Sequence, residues 1–249
     1  MQSRNQLTNN AIDLISQITS LKDLKLSENA LAEELNPAIA NLVHLEVLEV
    51  QFNQISSLPT QIKHMTRLKV LNVSNNRLST LPMAELAELP LTQLHASKNS
   101  LSGTLFPQPA AAMVRLQHLD VSINSLSALA AARLSLPQLR ELNVAFNRIP
   151  RLPDDLARWR ELRSLLAEDN RLSEVPRGFA GLAALRTVDF TGNDFTRLDP
   201  RIGAMAALEM IKLAANPIRE RKFLTMGTAE VKRDLRARMG SDDLVDEVD

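Results

Sequence analysis

The chain has no cysteine and no tyrosine, one tryptophan, seven glycines and 3% aromatic residues in 249 positions. Without cysteine there are no disulfide caps, thiolate metal sites or cysteine nucleophiles, and a reducing compartment is the expected setting. So few glycines argue against phosphate-cradling loops. A compact core usually takes more aromatics, whereas stacked rows of leucine do not need them. Basic and acidic residues number 29 each, so the net charge is zero and no global field draws the chain to nucleic acid or anionic lipid. No apolar run reaches the roughly 18 residues of a membrane span. The start, MQSRNQLTNNAIDLISQ, has no basic stretch followed by an apolar core, so no secretory signal is expected. The patterns G-x-x-x-x-G-K-[ST], G-x-S-x-G and H-E-x-x-H are missing as well. No catalytic residue, metal or cofactor is therefore expected.

What is present is one phrase, repeated. LxxLxLxxN places its Asn at Asn29, Asn53, Asn76, Asn99, Asn124, Asn147, Asn170, Asn193 and Asn216, with gaps of 24, 23, 23, 25, 23, 23, 23 and 23. LTNNAI, Leu7 to Ile12, is the tail of a further repeat whose front half is missing, as if a longer protein had been trimmed or its start read late. Each phrase predicts one coil. L-x-L has strand periodicity, with Leu inward and x outward. The remainder, such as SSLPTQIKHMTR, returns on the far side with anchors like Leu58 and Ile62 and a helix-breaking Pro. The Asn sits where the chain leaves the strand, where its amide can donate to and accept from buried backbone. One coil cannot bury its own Leu face, so only the stack is stable.

This phrase resembles the leucine-rich repeat family over about residues 7–218. The 23-residue form with LP after the Asn (Leu58-Pro59, Leu81-Pro82, Leu152-Pro153, Val175-Pro176) resembles the intracellular subclass. That subclass includes Ras-pathway scaffolds, plant Ras-group-related repeat proteins and phosphatase-associated repeat proteins. The ending NPIRERKFLTMGTAEVKRDLRARM is similar to relatives of leucine-rich-repeat-containing protein 40. The resemblance implies an α/β solenoid, curved, with a parallel β-sheet on the concave face and short helices or 3-10 turns on the convex face. It implies a cytoplasmic, monomeric scaffold that binds a signalling protein, of small GTPase or Ser/Thr phosphatase type, rather than an enzyme. Nothing in the residues selects among such partners.

Three segments are expected: a solenoid over 1–218, a capping region over 219–240 and an acidic, disordered tail over 241–249. In the fourth repeat Ala96 replaces a Leu, and the return TLFPQPAAAMVR carries two extra residues, an insertion over 103–115 expected as a tolerated bulge. In the capping region Thr228 is the expected N-cap, with Glu230 in the first turn. Val231, Leu235 and Met239 form an apolar stripe, and Gly240 takes the C′ position. Between 219 and 239 there are seven Lys/Arg against three Asp/Glu. A basic amphipathic helix can meet a membrane or a partner, but an exposed solenoid end must be covered, and capping is the expected role.

The outward letters carry any specificity. Neighbouring repeats place equal positions side by side, about 4.8 Å apart. One outward row contains Asn72, His95, Asp120, Asn143, Leu166 and Asp189; the row just before the Asn contains Phe52, Ile123 and Phe146. These nine residues are the expected protein-binding face, the apolar three as anchors and Asp120, Asn143 and Asp189 as receivers of a partner's Lys or Arg. The anchor row can equally pack on the Asn turn. His95, Asp120 and His118 have the chemistry of a divalent site, but the expected arrangement is a His95–Asp120 hydrogen bond favouring charged imidazole. Arg140, Arg163 and Arg186 form a basic stripe along one edge, read as a solvated face. Two other classes stay open: a recognition arm of a larger enzyme, or a membrane-surface adaptor using the 228–239 helix.

Overall fold

The computed structural model describes residues 5–107, 112–130 and 135–239. Gly240, the tail 241–249 and part of the 103–115 insertion lie outside the described residues. Nine short strands form one parallel sheet: β1 (Asp23–Lys25), β2 (Val47–Glu49), β3 (Val70–Asn72), β4 (Gln93–His95), β5 (His118–Asp120), β6 (Glu141–Asn143), β7 (Ser164–Leu166), β8 (Thr187–Asp189) and β9 (Met210–Lys212). They pair in chain order and in strict repeat register, Leu24 beside Leu48, then Leu71, Leu94, Leu119, Leu142, Leu165, Val188 and Ile211. That row is buried throughout. The L-x-L alternation thus becomes the pleat, and the architecture is a leucine-rich repeat solenoid.

Each repeat is tied to the one before by its Asn. Asn147 shows the pattern: its Oδ1 accepts from the Leu126 N–H at 2.9 Å, and its Nδ2 donates to the Val121 and Val144 carbonyls at 3.0 and 2.9 Å. Asn53, Asn76, Asn99, Asn124, Asn170, Asn193 and Asn216 accept in the same way from Leu31, Ile55, Leu78, Leu101, Ile149, Leu172 and Phe195. At the front, Asn29 accepts from Asn5 and Leu7, so the terminal half-repeat continues the ladder. Bringing the Asn beneath the strand requires a sharp turn. The residue before it has a left-handed backbone in all nine repeats, at φ of 48–66°. Only Gly192 among them is glycine, and a Cβ there would collide with Asp169 Oδ1.

On the return side, Pro59, Pro153 and Pro176 precede 3-10 turns at Thr60–His64, Asp154–Arg158 and Arg177–Gly181. Fixed proline φ sets up the turn start. The turns insert Ile62, Leu156 and Phe179 into the core. Pro82 instead precedes a short helix, α2 (Met83–Ala87), following α1 (Asn10–Ile15) of the front half-repeat. Around the insertion the return is extended, and Ser102–Phe106 pairs in parallel with Ser125–Ala130.

The C-terminal end is closed by α3 (Thr228–Arg236), whose Val231 and Leu235 are buried. It lies against the turn Pro200–Ala204, where Gly203 permits contact: a Cβ would stand 2.5 Å from the Arg236 N. Two details depart from the sequence reading. Gly227, not Thr228, occupies the N-cap, its N–H donating to Glu230. Met239 falls past the helix end, so only Val231 and Leu235 of the stripe are helical.

Candidate interaction surface

The strands' outward side chains lie on one face. There the structure exposes Phe52, Ile123 and Phe146, at 53%, 44% and 45%. All three stand in the left-handed row, at φ of 58°, 54° and 54°. None of the three is among the partly buried hydrophobic residues packed against the core. Ile123 and Phe146 are on adjacent repeats, with the Ile123 N–H donating to the Ala145 carbonyl; Phe52 stands three repeats before Ile123.

The second row is more committed to the fold than its letters suggest. Asn72, Asp120, Asn143 and Asp189 each accept, through Oδ1, the N–H two residues on, from Ser74, Ser122, Ala145 and Thr191 at 3.0–3.1 Å. These side chains cap their own strand ends, as Asx turns do. Asp189 is buried and lies 2.9 Å from Lys212 Nζ. Burial alone would raise its pKa, but hydrogen bonds from Lys212 and Thr191 hold the carboxyl below its usual range. Burial, then the charges of Asp189 and Asp169, push the neighbouring Glu168 up. Leu166 is half-buried beside Asp189.

The expected His95–Asp120 hydrogen bond does not form. The two residues are register partners, but Asp120 turns to the Ser122 N–H and hydroxyl. His95 Nε2 lies 3.4 Å from Gln93 Oε1. Burial lowers the His95 pKa, outweighing the attraction of Asp120, so the neutral ring is favoured. His118 is drawn instead to Glu141, 3.0 Å away. Among the described residues no three His, Cys, Asp or Glu side chains are grouped to hold a metal.

At the edge, Arg186 lies 3.4 Å from Glu209, while Arg140 and Arg163 are exposed. In the capping region Lys222 and Arg238 pair with Asp234, Arg238 also with Glu220, and Lys232 donates to the Ala206 and Leu208 carbonyls. Two features escaped the sequence reading, the left-handed row and the Asx turns. The signal for the first was an irregular column, Glu, Phe, Asn, Lys, Ile, Phe, Asp, Gly and Ala, with no apolar consensus.

Known proteins agree with this geometry. A family model described as leucine rich repeat matches residues 43–101. No curated protein matches the chain. A leucine-rich repeat protein of Leptospira interrogans is 26% identical, with a TM-score of 0.75 over 92% of this chain and 62% of its own length. The ectodomain of the plant membrane receptor kinase GASSHO1/SCHENGEN3 from Arabidopsis thaliana, in complex with Casparian strip integrity factor 2, is 23% identical, with a TM-score of 0.64 over 82% of this chain and 25% of its own. The Arabidopsis receptor kinase HAESA, in complex with the peptide hormone IDA and the co-receptor SERK1, is 22% identical, with a TM-score of 0.57 over 82% and 43%. The chain thus spans less than two thirds of each of these proteins. Sequence and structure together support a leucine-rich repeat solenoid fold. Among the described residues no helix is long and apolar enough to cross a membrane.

Proposed function

We propose that this chain is a protein-interaction scaffold that binds a signalling protein through the sheet face and its left-handed border. One observation carries the reading: Phe52, Ile123 and Phe146 hold exposed apolar side chains on left-handed backbone, where no core packing rewards them. Large apolar residues on a rigid frame are the usual anchors of a protein contact. A preformed surface also binds with little ordering cost. The second row supplies polar selection, with Asp120 and Asn143 keeping acceptor capacity beyond their Asx bonds. Two of the similar receptor structures hold a bound protein or peptide factor, which fits this use of the fold. The LP signature favours the intracellular subclass and a partner of the small GTPase or phosphatase kind. A membrane-surface role for α3 is the weaker reading, because Lys232 within it already donates to backbone carbonyls and the flanking Lys222 and Arg238 are paired with carboxylates.

The test is affinity capture from native cytosol with quantitative mass spectrometry, followed by direct titration of the captured protein. Wild type is compared with Phe52→Glu/Ile123→Glu/Phe146→Glu after circular dichroism shows both folded. Loss of binding by the variant supports the assignment. Equal binding by both removes it and moves the search to Arg140, Arg163 and α3.

A further inference from the structure

The row one residue before each strand reads Lys22, Glu46, Lys69, Thr92, Gln117, Arg140, Arg163, Arg186 and Glu209. Its arginines are tied one to the next through the backbone. The Arg163 N–H donates to the Arg140 carbonyl at 2.8 Å, and the Arg186 N–H to the Arg163 carbonyl at 2.9 Å. Opposite charges meet elsewhere in the row: Lys69 lies 2.6 Å from Glu46, and Arg186 lies 3.4 Å from Glu209. Arg140, Arg163 and Arg186 nevertheless stand in register as three exposed like charges, and such neighbours repel. Among the described residues Arg140 and Arg163 have no ion pair: adjacent Glu141 turns to His118, 3.0 Å away, and exposed Glu161 pairs with neither. The next column on the sheet face holds neutral Ser164 and Thr187 beside Arg163 and Arg186. Beside Glu209 it holds Met210, 46% exposed. An apolar side chain thus stands one repeat past the last arginine.

We propose that this border docks an acidic α-helix of a partner protein, with the helix axis along the row. Three cations in line, one repeat apart, call for anions in line at a matching spacing. Repeats are about 4.8 Å apart and helix turns about 5.4 Å. Carboxylates at i, i+4 and i+7 of one helix face therefore meet Arg140, Arg163 and Arg186 in turn. A guanidinium takes a carboxylate through two N–H groups, which fixes orientation as well as charge. The turn beyond Arg186 meets Glu209, which repels a further carboxylate, and Met210, which offers contact to an apolar residue. The fitting helix thus carries three acids and then an apolar residue, one per turn. A nucleic-acid strand fits less well, because Glu141, Glu161 and Glu209 interleave the cations and Trp159 is buried away from stacking. The site lies on the border of the sheet opposite Phe52, Ile123 and Phe146 and does not depend on those residues.

The probe is a synthetic helix of about 20 residues, built on Ala and Gln. It carries Glu at i, i+4 and i+7 and one Leu a turn outside them on each side, so that either direction along the row is served. Heteronuclear NMR titration of the full chain should shift the amides of Arg140, Arg163, Arg186 and Met210. Dissociation is expected at about 0.1–1 mM in low salt, and Arg140→Gln/Arg163→Gln should weaken it about tenfold. Arg140→Glu/Arg163→Glu/Arg186→Glu should reject this peptide and bind the version with Lys in place of each Glu. That recovery cannot come from a misfolded chain. The absence of shifts at these four amides overturns the proposal. So does equal binding of a peptide of the same composition with its Glu spread round the helix, or an affinity indifferent to the arginine changes. Tighter binding of a single-stranded oligonucleotide or of phosphatidylserine vesicles than of the helix overturns it as well.

Discussion

Thr228 Oγ1 accepts the Ile211 N–H at 3.1 Å, so a side chain of the capping helix completes the hydrogen bonding of the last strand. In every earlier repeat the equivalent N–H meets the next strand. Replacing Thr228 by Val keeps the shape and removes the acceptor. The loss should be about 1 kcal/mol, read as a lower denaturation midpoint with faster amide exchange in β9. Faster exchange confined to the first turn of α3 would instead make the hydroxyl a helix cap.

The value of each Asn in the ladder should follow its burial, which is complete at Asn147, Asn193 and Asn216 and partial at Asn29, Asn76, Asn99 and Asn124. Asn147 is buried and serves the Leu126 N–H and the Val121 and Val144 carbonyls. Asn147→Ala leaves these groups enclosed and unpaired, at about 3–5 kcal/mol. Asn29 is half-buried, and Asn29→Ala should cost about 1–2 kcal/mol because water can replace its bonds. Chemical denaturation of the two variants checks the order; equal losses would mean that burial does not set the value of the ladder.

The frame was legible in the sequence because its requirements are local and repeated. Leu at 45, 48 and 71 and Asn at 53 and 76 recur at fixed spacing, and periodicity translates directly into register. The surface was less legible because its letters answer two demands at once. Asp120 and Asn143 read as free polar groups, yet each first satisfies a backbone N–H of its own strand end. His95 and Asp120 were correctly adjacent, but adjacency does not fix rotamers: Asp120 found nearer donors in Ser122, and burial then governed the ring. Nor does a left-handed backbone announce itself when Glu, Lys, Phe and Ile occupy it in other repeats where Gly192 does in one.

His95 should titrate below the usual histidine value of about 6.5, since burial disfavours its charged form. For a base with a depressed folded pKa, the unfolded chain takes up the proton first. Stability is therefore full above the unfolded pKa and is lost as pH falls from there toward the folded value. His95→Gln should flatten that part of the stability–pH curve. A ring-proton NMR titration with its midpoint above the free-peptide value would restore the His95–Asp120 ion pair and sink the argument.

Ile123 separates a structural from a binding role for the left-handed row. A β-branched residue at φ 54° is strained by about 1–2 kcal/mol, and with 44% of its surface exposed, Ile123 recovers little of that by burial. Asn75 occupies the same position of an earlier repeat at the same φ, and Asn tolerates this backbone without glycine's entropy. Ile123→Asn should therefore raise stability by about 1 kcal/mol while weakening capture of the protein partner. Denaturation and binding are measured on the same variant, and the two must move in opposite directions. If stability falls instead, Ile123 is packing against its own Asn turn, and the border row is part of the scaffold, not the contact it offers.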